Sequence, residues 1–183
     1  MLVPVIAQKN LLIELAYATE ENFTQQKIYQ NNPCFLHTQA HSCLMHAFKL
    51  AQAIGYGIKI FDAFRPTEAQ EKLWEICPNS MYVADPKKGS PHSRGIAIDL
   101  TLIDENLQEI DMGTPFDSFD EISHHGNLEI SEAAQKNRFI LMGIMTTANF
   151  DFYKNEWWHY QLFNSSQYPL LKDQEAPVSL MNR

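Results

Sequence analysis

Two short segments hold most of the side chains able to do chemistry. In Ser90-Pro91-His92-Ser93-Arg94-Gly95-Ile96-Ala97-Ile98-Asp99 a loop of small residues presents an imidazole, Gly95 lets the backbone turn, and a strand carries a carboxylate inward. Asp99 lies among Ile96, Ile98 and Leu100, in a stretch otherwise suited to burial. A buried carboxylate must be paired or bound to a cation, so its partner is either a metal such as zinc or a basic side chain. The second segment, Glu156-Trp157-Trp158-His159-Tyr160, sets a carboxylate and an imidazole three residues apart. On a regular strand they would face opposite ways. They share a site only if the chain turns or bulges before His159.

Two imidazoles and one carboxylate suit catalytic zinc. His92, Asp99 and His159 as protein ligands leave a fourth position for water, whose pKa falls to about 7. A separate carboxylate then serves as general base, and Glu156 is the candidate, being close in sequence to His159. Arg65, at the end of a strand, is placed to neutralise the oxyanion formed on a peptide carbonyl. The plain alternative for the first three is a buried hydrogen-bonded cluster, and for Arg65 a surface ion pair. His37, His41 and His46 read as structural. The pair His37 and His41 has helical metal-ligand spacing but starts at or before a helix cap.

These residues need elements to hold them. Gln39 to Ile54 reads as an amphipathic helix, with Leu44, Phe48, Ala51 and Ile54 on one stripe and Gly55 as the stop. Ile58 to Phe64 reads as a strand ending at Arg65-Pro66. Thr67 is then expected to cap a short helix, with Gln70 completing a capping box. Ile96 to Leu102 alternates as a strand, with Asp99 facing the same way as Ala97 and Thr101. Ser131 to about Ala148 reads as a second long helix, and Trp157 to Phe163 as a further strand. The mixed order predicts an α+β domain, an antiparallel sheet with helices packed on one side. A single domain over 1–183 is expected, with an irregular tail from about Asn164.

Composition narrows the partners. A chain of 183 residues can bury a sizeable core without disulfides, so a zinc ion is free to be catalytic. The net charge of −8 argues against nucleic acid and anionic membrane as partners. Cys34, Cys43 and Cys77 are odd in number and lack Cys-x-x-Cys spacing, which predicts small thiols in a reducing compartment. The apolar run Met1–Ala7 breaks at Gln8-Lys9-Asn10, too short for a signal-peptide core or a membrane span. A cytoplasmic location is the expectation. Oligomeric state leaves no trace in the sequence.

The chain resembles the D-alanyl-D-alanine dipeptidases of the vancomycin-resistance type, within the zinc D-Ala-D-Ala peptidases related to the hedgehog fold. Ser-x-His-x-x-Gly-x-Ala-x-Asp is met at Ser90, His92, Gly95, Ala97 and Asp99, and Glu-x-x-His at Glu156 and His159. Tyr17-Ala18-Thr19 with Asn22-Phe23-Thr24, Asp62-Ala63-Phe64-Arg65-Pro66, Met112-Gly113 with Phe116-Asp117, and Asp120-Glu121 with Ser123-His124-His125 are similar to the dipeptidase branch. The resemblance implies one Zn2+ per chain on His92, Asp99 and His159, with Glu156 as base and Arg65 as transition-state stabiliser. It further implies Ser90 as a contact to the substrate carboxylate and Asp117 as a contact to its free amine. The bland readings are that Ser90 bonds only backbone and that Asp117 caps a turn. The segment between Arg65 and His92 is shorter than in the best-known resistance dipeptidases, as though a loop were trimmed.

Hydrolysis of the small dipeptide D-alanyl-D-alanine is therefore the expected reaction. A D,D-carboxypeptidase or endopeptidase acting on peptidoglycan stem peptides is the alternative, and it would leave the amine end of the pocket open. A non-enzymatic hedgehog-like zinc module would need neither Glu156 nor Arg65. Antibiotic resistance, D-alanine recycling and remodelling of wall fragments share one reaction.

Overall fold

Strand β5 owes its place at the centre of the sheet to a run of seven residues, Ala97–Ile103, that are all buried. The computed structural model describes residues 1–182, so Arg183, the last residue of the expected domain, lies outside the described residues. Among those residues the chain runs β1 (Leu2–Pro4), β2 (Leu11–Ile13), β3 (Phe35–His37), α1 (Thr38–Ala53), β4 (Gly57–Asp62), α2 (Thr67–Ile76), β5, α3 (Glu132–Thr147), β6 (Asp151–Phe152) and β7 (His159–Gln161). The main sheet has the order β2-β4-β5-β7-β6, and β1 pairs separately with β3. Pairings β4–β5, β5–β7 and β6–β7 are antiparallel, as expected, whereas the edge strand β2 lies parallel to β4. The connection between β2 and β4 carries β3 and α1, the long crossover that a parallel pair needs.

Helices α1 and α3 pack on each other, α1 also against β4 and α3 against β6. The expected stripes are buried, with Leu44, Phe48 and Ala51 on α1 and Ala134, Leu141, Met145 and Ala148 along α3. Truncating one such large side chain, for instance Leu44→Ala, costs about 2–5 kcal/mol. Ile54 departs from its stripe. It is the C-cap of α1 and 56% exposed, because the chain leaves the helix before Ile54 can turn inward. The His37 ring caps α1 by accepting from Gln39 N, and Ser131 caps α3 by accepting from Ala134 N.

The capping box expected at α2 is absent among the described residues. Pro66 is the N-cap and makes no side-chain cap bond, Thr67 is already helical, and Gln70 is buried with its amide committed elsewhere. The segment expected as a strand from Trp157 is regular only over His159–Gln161. Beyond it the tail has only short 3-10 turns, yet it is tied down. Leu171 N donates to Ser93 O (2.7 Å) and Leu171 O accepts from Thr67 N (3.1 Å), so the tail braces the backbone beside His92 and Arg65. Among the described residues no helix is long and apolar enough to cross a membrane, and the three cysteines are free thiols.

Candidate metal centre and active site

The site is built on one row across the three central strands. Asp99 on β5 is the register partner of His159 on β7 and, across a bulge, of Asp62 on β4. Ile60 pairs with Leu100, so an unbroken ladder would set Phe61 opposite Asp99. The bulge inserts one residue and turns Asp62 to that position instead, which a strict period of two does not anticipate. His92 reaches the row from a 3-10 turn, His92–Arg94, that ends at Gly95 with φ +68°. A Cβ on Gly95 would stand 2.5 Å from the Leu2 side chain and 3.2 Å from His37 N, so glycine serves both the turn and the close approach of β3.

His92, Asp99 and His159 are buried and present ligand atoms that all lie within 4.8 Å of one another. His92 Nδ1 bonds Ala63 O at 2.7 Å, and His159 Nε2 bonds Gln161 Oε1 at 3.1 Å. Each acceptor draws the ring proton to that outer nitrogen. The inner nitrogens, His92 Nε2 and His159 Nδ1, then both carry lone pairs. They lie 3.1 Å apart, at 3.3 Å and 3.0 Å from Asp99 Oδ1. Three acceptors converging without a proton repel one another unless a cation sits among them, so the donor set fits a metal ion. Burial alone would raise the Asp99 pKa, and positive charge or a donated proton at His92 and then His159 holds the carboxyl well below its ordinary range, the role that a cation among the three takes over.

Glu156 joins this group because the chain turns before β7. Trp157 and Trp158 form the turn, His159 N approaches Glu156 O at 3.4 Å, and Glu156 Oε2 lies 3.9 Å from His159 Nδ1. Both tryptophans are buried and meet edge to face. Burial pushes the Glu156 pKa up to about 8, against the pull of His159.

Arg65 is buried too, which excludes the surface ion pair. Its Nε donates to Asp62 Oδ2 (2.9 Å), Nη2 lies 2.8 Å from the same oxygen, and Nη1 donates to Gln70 Oε1 (3.0 Å). The guanidinium stacks over the Tyr17 ring at 4.8 Å, and Nη2 faces Asp99 Oδ2 at 3.8 Å. Asp62 Oδ1 in turn accepts from Tyr29 OH (2.9 Å). Burial works against the guanidinium charge, and Asp62, then Tyr17, outweigh it. Asp62, Gln70, Tyr29 and Gln161 are residues whose roles the sequence did not disclose. Gln161 had a usable signal, since it sits two residues past His159 and so shares its face of the strand.

A cavity of about 290 Å³ opens on the cluster, lined among others by Arg65, Ser90, His92, Asp99, Asp117, Trp158 and His159. Ser90 Oγ accepts from His92 N (3.2 Å), which leaves its hydroxyl proton for another partner. Asp117 adopts φ +59°, and its Oδ1 accepts from Tyr17 OH (3.2 Å). Its Oδ2 is buried at the cavity wall and makes no well-formed hydrogen bond among the described residues, although the Phe23 backbone N–H pulls on the carboxylate. Burial and then the Asp99 charge push the Asp117 pKa up to about 7. The short segment after α2 still walls the cavity with Ser80 to Ala84. Gln70 Nε2 holds Ala84 O (2.8 Å), and Tyr82 stacks on Phe119 at 4.7 Å.

Comparison with known proteins identifies the family of the chain. A family model described as D-Ala-D-Ala dipeptidase matches residues 4–176. The chain is 46% identical over 165 residues to the D-alanyl-D-alanine dipeptidase of Escherichia coli K12, covering 90% of this chain and 86% of that one. It is 34% identical over 169 residues to the D-alanyl-D-alanine dipeptidase of Enterococcus faecalis, covering 81% and 84%. With the D-alanyl-D-alanine dipeptidase of Enterococcus faecium the identity is 35% over 167 residues, covering 80% and 83%. The chain therefore belongs to the D-Ala-D-Ala dipeptidase family of metallopeptidases.

Proposed function

We propose that this protein hydrolyses the dipeptide D-alanyl-D-alanine to two molecules of D-alanine, with one zinc ion held by His92 Nε2, Asp99 and His159 Nδ1. One observation carries the reading. A three-ligand cluster, a buried carboxylate outside that cluster and a second carboxylate with an unpartnered oxygen all line one cavity of dipeptide scale. Zinc, when bound, supplies Lewis acidity to the water nucleophile and the scissile carbonyl.

The chain's own residues do the rest. Glu156 takes the proton of the attacking water and returns it to the leaving amine. Arg65, fixed by Asp62 and Gln70, meets the charge that develops on the carbonyl oxygen without having to reorganise. Ser90 donates its free hydroxyl proton to the substrate carboxylate. Asp117 Oδ2 accepts from the substrate ammonium, and Trp158 with the aromatic wall excludes bulk water. The unpartnered Oδ2 favours a free dipeptide over a stem peptide, whose acylated nitrogen brings no charge to it. We place the catalytic residues named here in the one domain described and its setting in the cytoplasm, a reading that the free thiols of Cys34, Cys43 and Cys77 suit.

The test is an assay of zinc-loaded protein on D-alanyl-D-alanine, its L,L isomer, its N-acetyl derivative and a D,D-terminated tripeptide. Turnover of the free D,D dipeptide alone is the expected result. Equal turnover of the acetylated form or the tripeptide would replace the dipeptidase with a carboxypeptidase.

A further inference from the structure

A chain of hydrogen bonds runs beneath the cavity from the neighbour of Glu156 to the neighbour of Asp117. Trp157 Nε1 donates to Thr114 Oγ1 (2.8 Å), Thr114 Oγ1 lies 2.9 Å from Ser123 Oγ, and Ser123 Oγ donates to Ser118 O (2.7 Å). Ser123 spends its proton on Ser118 O, so Thr114 must donate in the middle bond, and every bond points the same way. Trp157 N adds a second tie to Ser123 O (3.2 Å). Ser123 is 1% exposed, and Trp157 is 2% exposed.

The far side of the same loop is gripped by α3. Arg138, 3% exposed, donates from Nε to Met112 O (2.6 Å) and from Nη1 to Ile122 O (3.0 Å) and His124 O (3.1 Å). Its Nε and Nη1 are thus met by carbonyls at both ends of the loop that carries Asp117 at its middle, while Nη2 is buried without a partner among the described residues. Asp117 itself holds a left-handed backbone, a conformation that aspartate tolerates better than most residues and that fixes the direction of its side chain here.

We infer that Thr114 and Ser123 are positioning residues that set the separation between Asp117 and Glu156, and so the substrate length the site accepts. The inference rests on the dipeptidase reading above, in which Asp117 receives the substrate amine. Neither hydroxyl lines the cavity, so neither touches substrate. They act by holding the amine-binding carboxylate at a fixed distance from the base. Their loss should therefore be felt by a substrate that has an amine to place, and not by one that lacks it.

The experiment compares wild type, Thr114→Val and Thr114→Ser on D-alanyl-D-alanine and on propionyl-D-alanine, the same molecule without its amine. Valine keeps the shape of threonine but can neither accept from Trp157 nor donate to Ser123. Thr114→Val should raise KM for the dipeptide about tenfold, the scale of one net hydrogen bond, with a smaller change in kcat. For propionyl-D-alanine, kcat/KM should stay within about twofold, or its inhibition constant should where turnover is too slow to read. Thr114→Ser should restore the dipeptide KM. Equal loss on both ligands, or no loss on either, would overturn the positioning role. A wild type inert on D-alanyl-D-alanine would overturn the dipeptidase reading first, and this inference with it.

Discussion

Asp99 and His159 stand opposite each other on β5 and β7, and the imidazole Nδ1 lies 3.0 Å from the carboxylate Oδ1. Two of the three proposed ligands are thereby placed by sheet register rather than by a loop. Slipping β7 by one residue would send His159 to the opposite face, so this part of the site is as rigid as the sheet itself. What the register leaves open is which ring nitrogen carries the proton, and the Gln161 Oε1 acceptor at Nε2 biases it toward that outer nitrogen.

Gln161→Met should therefore weaken zinc binding while leaving the fold intact. The substitution keeps the volume but removes the acceptor of the His159 Nε2 proton, and with it the bias toward the tautomer whose Nδ1 is free. Loss of such a supporting bond typically costs about 10–100-fold in metal affinity. Competition against a chelator of known affinity measures it. Wild-type affinity in the variant would remove Gln161 from the account.

Glu156→Gln separates the base from the ligands. The amide keeps the size of the side chain and cannot take a proton, so turnover should fall about 10²–10⁴-fold with zinc content and unfolding temperature nearly unchanged. His159→Ala should instead lose metal and activity together. Should Glu156→Gln lose its zinc, Glu156 is itself a ligand. Near-normal turnover with zinc bound would remove it as the base.

How far these positions could be read in advance follows from the kind of order that sets each. Asp99 was legible because a carboxylate in an alternating apolar run demands a cation, whatever the fold. Leu44, Phe48 and Ala51 were legible because helical period is a local property. Asp62 was not assigned a role, because a bulge in β4 decides which way it faces, and a bulge is specified by the partner strand. Gln70 was misread as a cap, since Thr67-x-x-Gln70 satisfies the local pattern while Arg65 and Ala84 O claim the amide through tertiary contact. The parallel placement of β2 also lay beyond the sequence, because strand direction depends on a crossover more than forty residues long.

Arg65→Lys should lower kcat sharply with metal content unchanged. Lysine keeps the charge but cannot bond Asp62 and Gln70 together while lying flat on Tyr17. An ammonium drawn toward Asp62 would no longer point at the carbonyl oxygen. Loss of an aligned oxyanion donor costs about 10²–10³-fold in kcat. A variant that retains kcat and changes only KM would move Arg65 from transition-state stabilisation to substrate binding.

Asp117→Asn should stabilise the protein at alkaline pH while crippling it as a dipeptidase. In the folded chain Asp117 ionises near about 7, against an ordinary value of 3.8, chiefly because it is buried. Between those values the native state holds a proton that the unfolded chain has released. Stability from this group is thus fully present below about pH 4 and is lost as pH rises through about 7. Asparagine carries no such proton, so the variant gains on wild type across that window and has no advantage below it. Each unit of pKa difference is about 1.4 kcal/mol. Because Asp117 is half-buried as a residue and water near its backbone screens part of this, about 2 kcal/mol remains, or about 5 °C in Tm for a chain of this size. The measurement is a thermal melt of both chelator-treated proteins from pH 4 to 8. The Tm difference should open steadily with pH, while kcat/KM for D-alanyl-D-alanine falls because an amide does not pair with the ammonium. Parallel melting curves would show that Asp117 is not a buried, proton-holding carboxyl and would take away its fitness to receive the amine.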